Sequence, residues 1–276
     1  IMNILHPSIT DIKQLGKDMH QKYISADPFP SIVLDNFFNE EFLSKVADEF
    51  PDLSKQKDVK KYDNHNEKKL EALGEKHFSE SARLLAHFLN SQPVLEFLQE
   101  LTGIKETLLP DPYFLGGGYH EIKSGGLLKV HADFNKHELA LVDRRINLLV
   151  YLNKDWDESY GGHFELWDRD MKQARTKVLP IFNRIAIFST TDFSYHGHPN
   201  ALACPADRSR KSLALYYYSN GRPKSEVNHK PHGTLFVNRS GTKNDVTKEP
   251  VTLRSVLYDL TPPILIRLAK KVIRSN

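Results

Sequence analysis

Apolar positions along this chain change their period twice. Up to about residue 105 they recur at helical spacing. Phe42, Leu43, Val46, Ala47 and Phe50 share a face behind Asn39, a residue suited to cap a helix, and Pro51 ends the run. Ser79 to Leu89 and Pro93 to Leu101 repeat the pattern, with Leu84, Leu85, Phe88 and Leu89 placed together on one face. Lys55 to Lys69 is charged and nearly devoid of apolar residues, which predicts a mobile surface loop.

From about residue 110 to 220 the period becomes that of strands. Runs rich in β-branched and aromatic residues fall at 119–122, 127–134, 145–152, 163–167, 176–182, 184–189 and 211–218, with Gly125-Gly126, Gly161-Gly162 and Asn183 at breaks. Short strands at this spacing point to a sandwich, a barrel or a double-stranded helix. The remainder, 223–276, begins polar and ends in a predicted helix over about Pro263–Arg274, with proline in its first turn. The expected organisation is a mainly helical support over 1–105, a strand-rich core over 106–222 and a C-terminal extension over 223–276, integrated as one domain.

Composition narrows the function classes. With 39% apolar and 26% charged residues in 276, the chain has material for a core. Its 38 basic and 35 acidic residues are interspersed, which argues against nucleic acid as a partner; the basic cluster Lys270, Lys271 and Arg274 reads as a solvated helix end. One cysteine, Cys204, allows no internal disulfide and suggests a reducing compartment. No apolar run reaches the ~20 residues that span a bilayer, so the expectation is a cytoplasmic protein without a membrane span.

Candidate chemistry sits in the strand-rich region. On a strand, residues two apart project the same way, so His131 and Asp133 would aim an imidazole and a carboxylate into one space. That is two-thirds of the facial triad that holds Fe(II) and leaves open positions. The third ligand is either His196 or His198, and spacing does not choose between them. Arg210 opens a later strand, 14 positions after His196, and shares a face with Ser212. A buried guanidinium needs an anion, and its fork suits a carboxylate. A metal triad beside such an arginine fits a dicarboxylate that chelates metal at one end and is clamped at the other.

His131-x-Asp133, His196 and Arg210 in this order resemble the Fe(II)- and 2-oxoglutarate-dependent dioxygenases, and most of all their prolyl 4-hydroxylase-like group. Val150-Tyr151-Leu152-Asn153-Lys154-Asp155-Trp156, followed by Gly161-Gly162, is similar to a segment of the hypoxia-sensing prolyl hydroxylases. Ile32-Val33-Leu34-Asp35-Asn36-Phe37-Phe38 looks like that group's N-terminal strand, so the likeness spans about 31–219. It implies a mainly β fold with helical flanks: a double-stranded β-helix (jelly roll) core packed against N-terminal helices.

By the same resemblance His131, Asp133 and His196 would hold Fe(II), with 2-oxoglutarate and O2 as cosubstrates and ascorbate as a further requirement. Arg210 and Tyr151 would meet the distal carboxylate, with Ser212 and Asn147 lining the pocket and Tyr119 at the other end of the cosubstrate. The implied reaction is hydroxylation of a C–H bond, on a proline-containing peptide or protein. Alternatives are a free amino acid, a sugar or another small metabolite, a non-catalytic jelly-roll binding module, and a metal hydrolase, which leaves Arg210 unexplained. Leu166-Trp167-Asp168 and Leu260-Thr261-Pro262-Pro263 depart from the hypoxia sensors and look more like a microbial or viral branch, and the run Phe134–Arg144, which borders the site, is longer than the sensors' counterpart.

Overall fold

The structure, a computed structural model, describes residues 4–226 and 231–247. Four helices are present among them: α1 (Ile12–Ile24), α2 (Glu40–Asp48), α3 (Glu80–Leu89) and α4 (Gln92–Thr102). Asn39 caps α2, its side-chain oxygen accepting from the Phe42 amide at 3.0 Å, and the helix ends before Pro51. Ser79 caps α3 in the same way, and α4 has proline in its first turn and left-handed Gly103 as its cap. α3 buries Ala82, Leu85, Ala86 and Leu89, whereas Leu84 lies on its outer side, 41% exposed, and not on the core face expected for it.

The strands are β1 (Ser31–Asp35), β2 (Lys60–Asp63), β3 (Glu67–Leu73), β4 (Leu108–Leu109), β5 (Gly118–Lys123), β6 (Leu127–Ala132) and β7 (Asp143–Tyr151). They continue as β8 (Phe164–Trp167), β9 (Ala174–Val178), β10 (Arg184–Ser189), β11 (His196–His198), β12 (Ser209–Ser219) and β13 (Leu235–Phe236). All pairings are antiparallel, in the order β1-β10-β7-β12-β5-β3-β6-β11-β8-β9, and the sheet curls into a nearly closed, barrel-like jelly roll.

Alternation divides the central strands between two jobs. Ile146, Leu148 and Val150 of β7, Ile185 and Ile187 of β10, and Leu213, Leu215 and Tyr217 of β12 pack against the helices in the main core. Truncating any of these large side chains to alanine costs about 2–5 kcal/mol. Their alternates, including Asn147, Tyr151, Phe188, Arg210, Ser212 and Tyr216, are buried on the opposite face, inside the barrel.

The stretch expected as a mobile loop, Lys55 to Lys69, instead contains β2 and most of the entry into β3, and β3 is part of the barrel wall. It pairs with β5 through Leu70–Leu73 and with β6 through Glu67 and Lys68. Its charge is neutralised locally: Lys69 Nζ lies 2.7 Å from Glu71 Oε1 and 3.3 Å from Glu67 Oε2, and sits over the Tyr62 ring. The predicted helix over 263–274 lies outside the described residues, as does Leu260-Thr261-Pro262-Pro263. No helix among the described residues is long and apolar enough to cross a membrane.

Candidate metal and dicarboxylate site

His131 and Asp133 leave the end of β6 on one face, and His196 stands directly opposite His131 in the β6–β11 pairing. The sequence spacing could not have supplied that register. Ligand atoms of the three side chains lie within 4.8 Å of one another, and all three residues are buried. His131 Nε2 is 3.5 Å from Asp133 Oδ1, and His196 Nε2 is 3.4 Å from Asp133 Oδ2.

Hydrogen bonding prepares both imidazoles for a metal. His131 Nδ1 meets the Lys129 carbonyl and His196 Nδ1 meets the Ser194 carbonyl, each at 2.8 Å. A carbonyl can only accept, so the proton belongs on Nδ1 and the Nε2 lone pairs face Asp133. Burial pushes the Asp133 carboxyl upward, but the Arg144 guanidinium and the two imidazoles outweigh it and hold the group well below the usual carboxylate range. Burial lowers His196 to about 4, against the raising effect of Asp133, so the ring is neutral near pH 7. Two imidazoles and an ionised carboxylate are the donor set that suits Fe(II) with open positions. The residues fit the metal.

A ring of partners fixes the carboxylate. Asn147 Nδ2 donates to Asp133 Oδ2 at 2.7 Å, and Arg144 Nη2 donates to the same oxygen at 3.1 Å. Arg144 Nε in turn donates to Asn147 Oδ1. The Arg144 guanidinium lies against the rings of Tyr216 and Phe134, 3.4 and 4.2 Å from their centroids. Asn147, expected to line the cosubstrate pocket, thus holds the metal carboxylate. Arg144 is 1% exposed. Lys136 of the same run pairs with Asp143.

Arg210 is buried on the barrel side of β12. Its Nε donates to the Gly162 carbonyl at 2.9 Å, and its Nη2 lies 3.5 Å from the Tyr151 hydroxyl. Gly161-Gly162 has a physical role in this contact. Gly162 has φ +72, and a Cβ there would sit 2.6 Å from Leu202 Cδ2 and 3.1 Å from Arg210 Cδ. Arg144, Arg145 and Arg222 each meet a carboxylate, whereas among the described residues none pairs with Arg210. Burial lowers its pKa, opposed by Tyr151. Ser212 lies across from Tyr151 in the β12–β7 pairing and is buried on the same face. A buried, uncompensated guanidinium beside two hydroxyl-bearing residues suits the free carboxylate of a dicarboxylate.

One expectation needs correction. Tyr119 belongs to the other face of β5: its ring packs 4.2 Å from Phe50 and 5.0 Å from Phe78 in the helix-side core. The β5 residue facing the barrel is its neighbour His120, paired with Ser212 and Glu71, and the one-residue parity was not readable from the sequence. His198, the other candidate for the third ligand, is buried but does not belong to the three-residue set. Asp192 meets His232 and Asn135. The aromatic residues Trp156 and Trp167 pack in apolar clusters, and Tyr217 points away from the site to donate to the Leu89 carbonyl.

Comparison with known proteins agrees with this geometry. Residues 117–218 match the family model of the 2OG-Fe(II) oxygenase superfamily. Over 86 residues the chain is 30% identical to mouse prolyl 3-hydroxylase OGFOD1, a match that takes in 30% of this chain and only 15% of that protein. A Pseudomonas putida prolyl-4-hydroxylase structure aligns over 75% of this chain and 100% of its own, with TM-score 0.54 and 14% identity. A Trichoplax adhaerens prolyl hydroxylase, solved in complex with a hypoxia inducible factor oxygen degradation domain peptide fragment, aligns over 75% and 90%, with TM-score 0.54 and 16% identity. Residues 117–218, which carry the buried His131–Asp133–His196 set, thus match the 2OG-Fe(II) oxygenase superfamily model, and the fold resembles that of the prolyl hydroxylase structures.

Proposed function

We propose that the chain is an Fe(II)- and 2-oxoglutarate-dependent dioxygenase that hydroxylates a prolyl residue of a peptide or protein. The observation that carries the reading is Arg210, a buried guanidinium without a carboxylate among the described residues, in the same barrel as two imidazoles and a carboxylate. His131, Asp133 and His196 would hold the iron, and Arg210 with Tyr151 and Ser212 would hold the distal carboxylate of 2-oxoglutarate. When bound, the iron and cosubstrate supply oxidative decarboxylation to succinate and CO2, coupled to delivery of one oxygen atom of O2 to a C–H bond. The chain supplies orientation: Asn147 and Arg144 fix the carboxylate ligand.

The rim near the site favours a polypeptide substrate. Tyr113, Leu139 and Leu141 are 63%, 59% and 68% exposed. His137 ties them together: its ring lies 6.3 Å from that of Tyr113, its Nδ1 accepts from the Leu139 and Ala140 amides, and its carbonyl accepts from the Leu141 amide. Leu141 has φ +59, an uncommon conformation for leucine, and its side chain is mostly exposed. Such a rim offers apolar contact beyond the reacting residue, which a small metabolite would not use. The prolyl hydroxylases among the similar proteins support the same reading.

The test is incubation with Fe(II), ascorbate, 2-oxoglutarate and proline-containing peptides. Succinate should form, and a peptide should gain the mass of one oxygen at proline. Oxygen gained only by a free amino acid or sugar would overturn the polypeptide assignment. No succinate with any acceptor, in iron-replete protein, would leave a binding module.

A further inference from the structure

His198 is 3% exposed, and neither of its ring nitrogens has a hydrogen-bond partner among the described residues. Buried polar atoms in folded proteins are nearly always paired, because a lost hydration shell otherwise goes uncompensated. An imidazole with two such atoms therefore points to a ligand. The ring stands in the barrel for a local reason. Gly197 brings β11 against β6, where a Cβ would come within 2.8 Å of the Leu128 carbonyl oxygen and 2.9 Å of that of Lys129. His198 lies opposite Leu128, two residues along β11 from His196.

Two residues of strand span about 6.6 Å, comparable to the reach of a five-carbon dicarboxylate from its chelating end to its far carboxylate. The β8–β11 register pairs His196 with Leu166 and Gly197 with Glu165, so His198 lies farther along β8 toward Gly162, whose carbonyl accepts from Arg210, which puts the ring toward the arginine end of the cavity. We propose that His198 is a cosubstrate-binding residue whose ring N–H donates to the same far carboxylate of 2-oxoglutarate that Arg210 holds. This rests on the reading of the site given above, and it adds a neutral donor to the clamp.

The test uses binding, with Mn(II) or Zn(II) in place of iron so that no turnover occurs. Calorimetry on the metal-loaded full chain should show that His198→Leu weakens 2-oxoglutarate by about tenfold or more, with metal affinity unchanged. His198→Gln, which keeps a neutral N–H donor, should retain most of the affinity. The monocarboxylate 2-oxovalerate, which lacks the far carboxylate, should bind wild type and His198→Leu equally. The ligand-free melting temperature of His198→Leu should equal or exceed that of wild type, since two unpaired polar atoms are gone. If His198→Leu does not fold, His198→Asn, polar but too short to reach, is read in the same way. Undiminished 2-oxoglutarate binding by His198→Leu, or an equal loss for both ligands, overturns the proposal alone. Failure of metal-loaded wild type to bind 2-oxoglutarate overturns the reading of the site as well.

Discussion

Asn147 Nδ2 reaches from β7 to Asp133 Oδ2 across 2.7 Å, so the carboxylate that completes the metal set is aimed by a neighbouring strand. Partners of this kind set the geometry of the ligand they touch. Asn147→Ala should weaken metal binding by about 10–100-fold while leaving 2-oxoglutarate affinity at saturating metal little changed. Titration of the apo protein with Mn(II) checks this, and wild-type metal affinity in the variant would refute it.

Removal of metal has a separate signature. EDTA should abolish turnover and lower the melting temperature, because a ligand bound only by the folded state stabilises it by mass action. Fe(II) should restore both, whereas Zn(II) should restore only the melting temperature. His131→Ala should remove both responses; a metal-dependent rise in melting temperature that survives this substitution would place the metal elsewhere.

Arg210→Ala leaves a cosubstrate carboxylate in a buried pocket without its guanidinium, a cost of about 2–5 kcal/mol. The expected result is a rise of about 30-fold or more in the KM for 2-oxoglutarate. Arg210→Lys should recover part of it, since an ammonium replaces the charge but not the fork that spans Gly162 and Tyr151. An unchanged KM in Arg210→Ala would dissociate this residue from the cosubstrate.

On the rim, Leu139→Ser with Leu141→Ser should raise the KM for a peptide acceptor severalfold. Slow succinate formation without acceptor should be untouched. Both side chains are mostly exposed, so the effect on stability should stay within about 0.5 kcal/mol. Equal peptide kinetics in wild type and the double variant would remove the rim from substrate recognition.

The charged strand β3 predicts an acid-sensitive fold. Burial raises Glu71, but the Lys69 and His120 charges prevail and bring it from 4.5 down to about 2. Because the folded value is depressed, its contribution is complete above about pH 4.5 and is lost as pH falls toward 2. On the order of 3 kcal/mol is at stake. Glu71→Gln should be less stable at neutral pH and show a shallower fall in melting temperature between pH 4.5 and 3. A parallel fall in both proteins would show that Glu71 is not the group titrating.

The strands carrying the site were legible because their helix-side residues are β-branched and apolar at period two, as in Ile146, Leu148 and Val150 or Leu213 and Leu215. His131, Asp133 and Arg210 followed from the same alternation. β3 was not legible, because it inverts the usual rule. Glu67, Lys69 and Glu71 occupy the enclosed face and compensate one another, so a polar run that reads as solvated is a wall of the barrel. Tyr119 and His120 exchanged roles because strand parity needs a register, and only the pairing with Glu71 and Ser212 sets one. The choice of His196 came from resemblance; its physical basis, the cross-strand position opposite His131, exists only once β11 is docked on β6.

The placement of β3 also bears on assembly. β5 and β6 are consecutive and joined by the tight Gly125-Gly126 corner, yet the wall between them is completed by β3, from earlier in the chain. A fragment starting at residue 106 would leave unpaired backbone amides and carbonyls along both rims of that gap. Such edges template intermolecular strand addition. Expressed without residues 60–73, the catalytic strands should therefore oligomerise or precipitate, and the highly charged hairpin that looks most dispensable acts as the protein's guard against self-association.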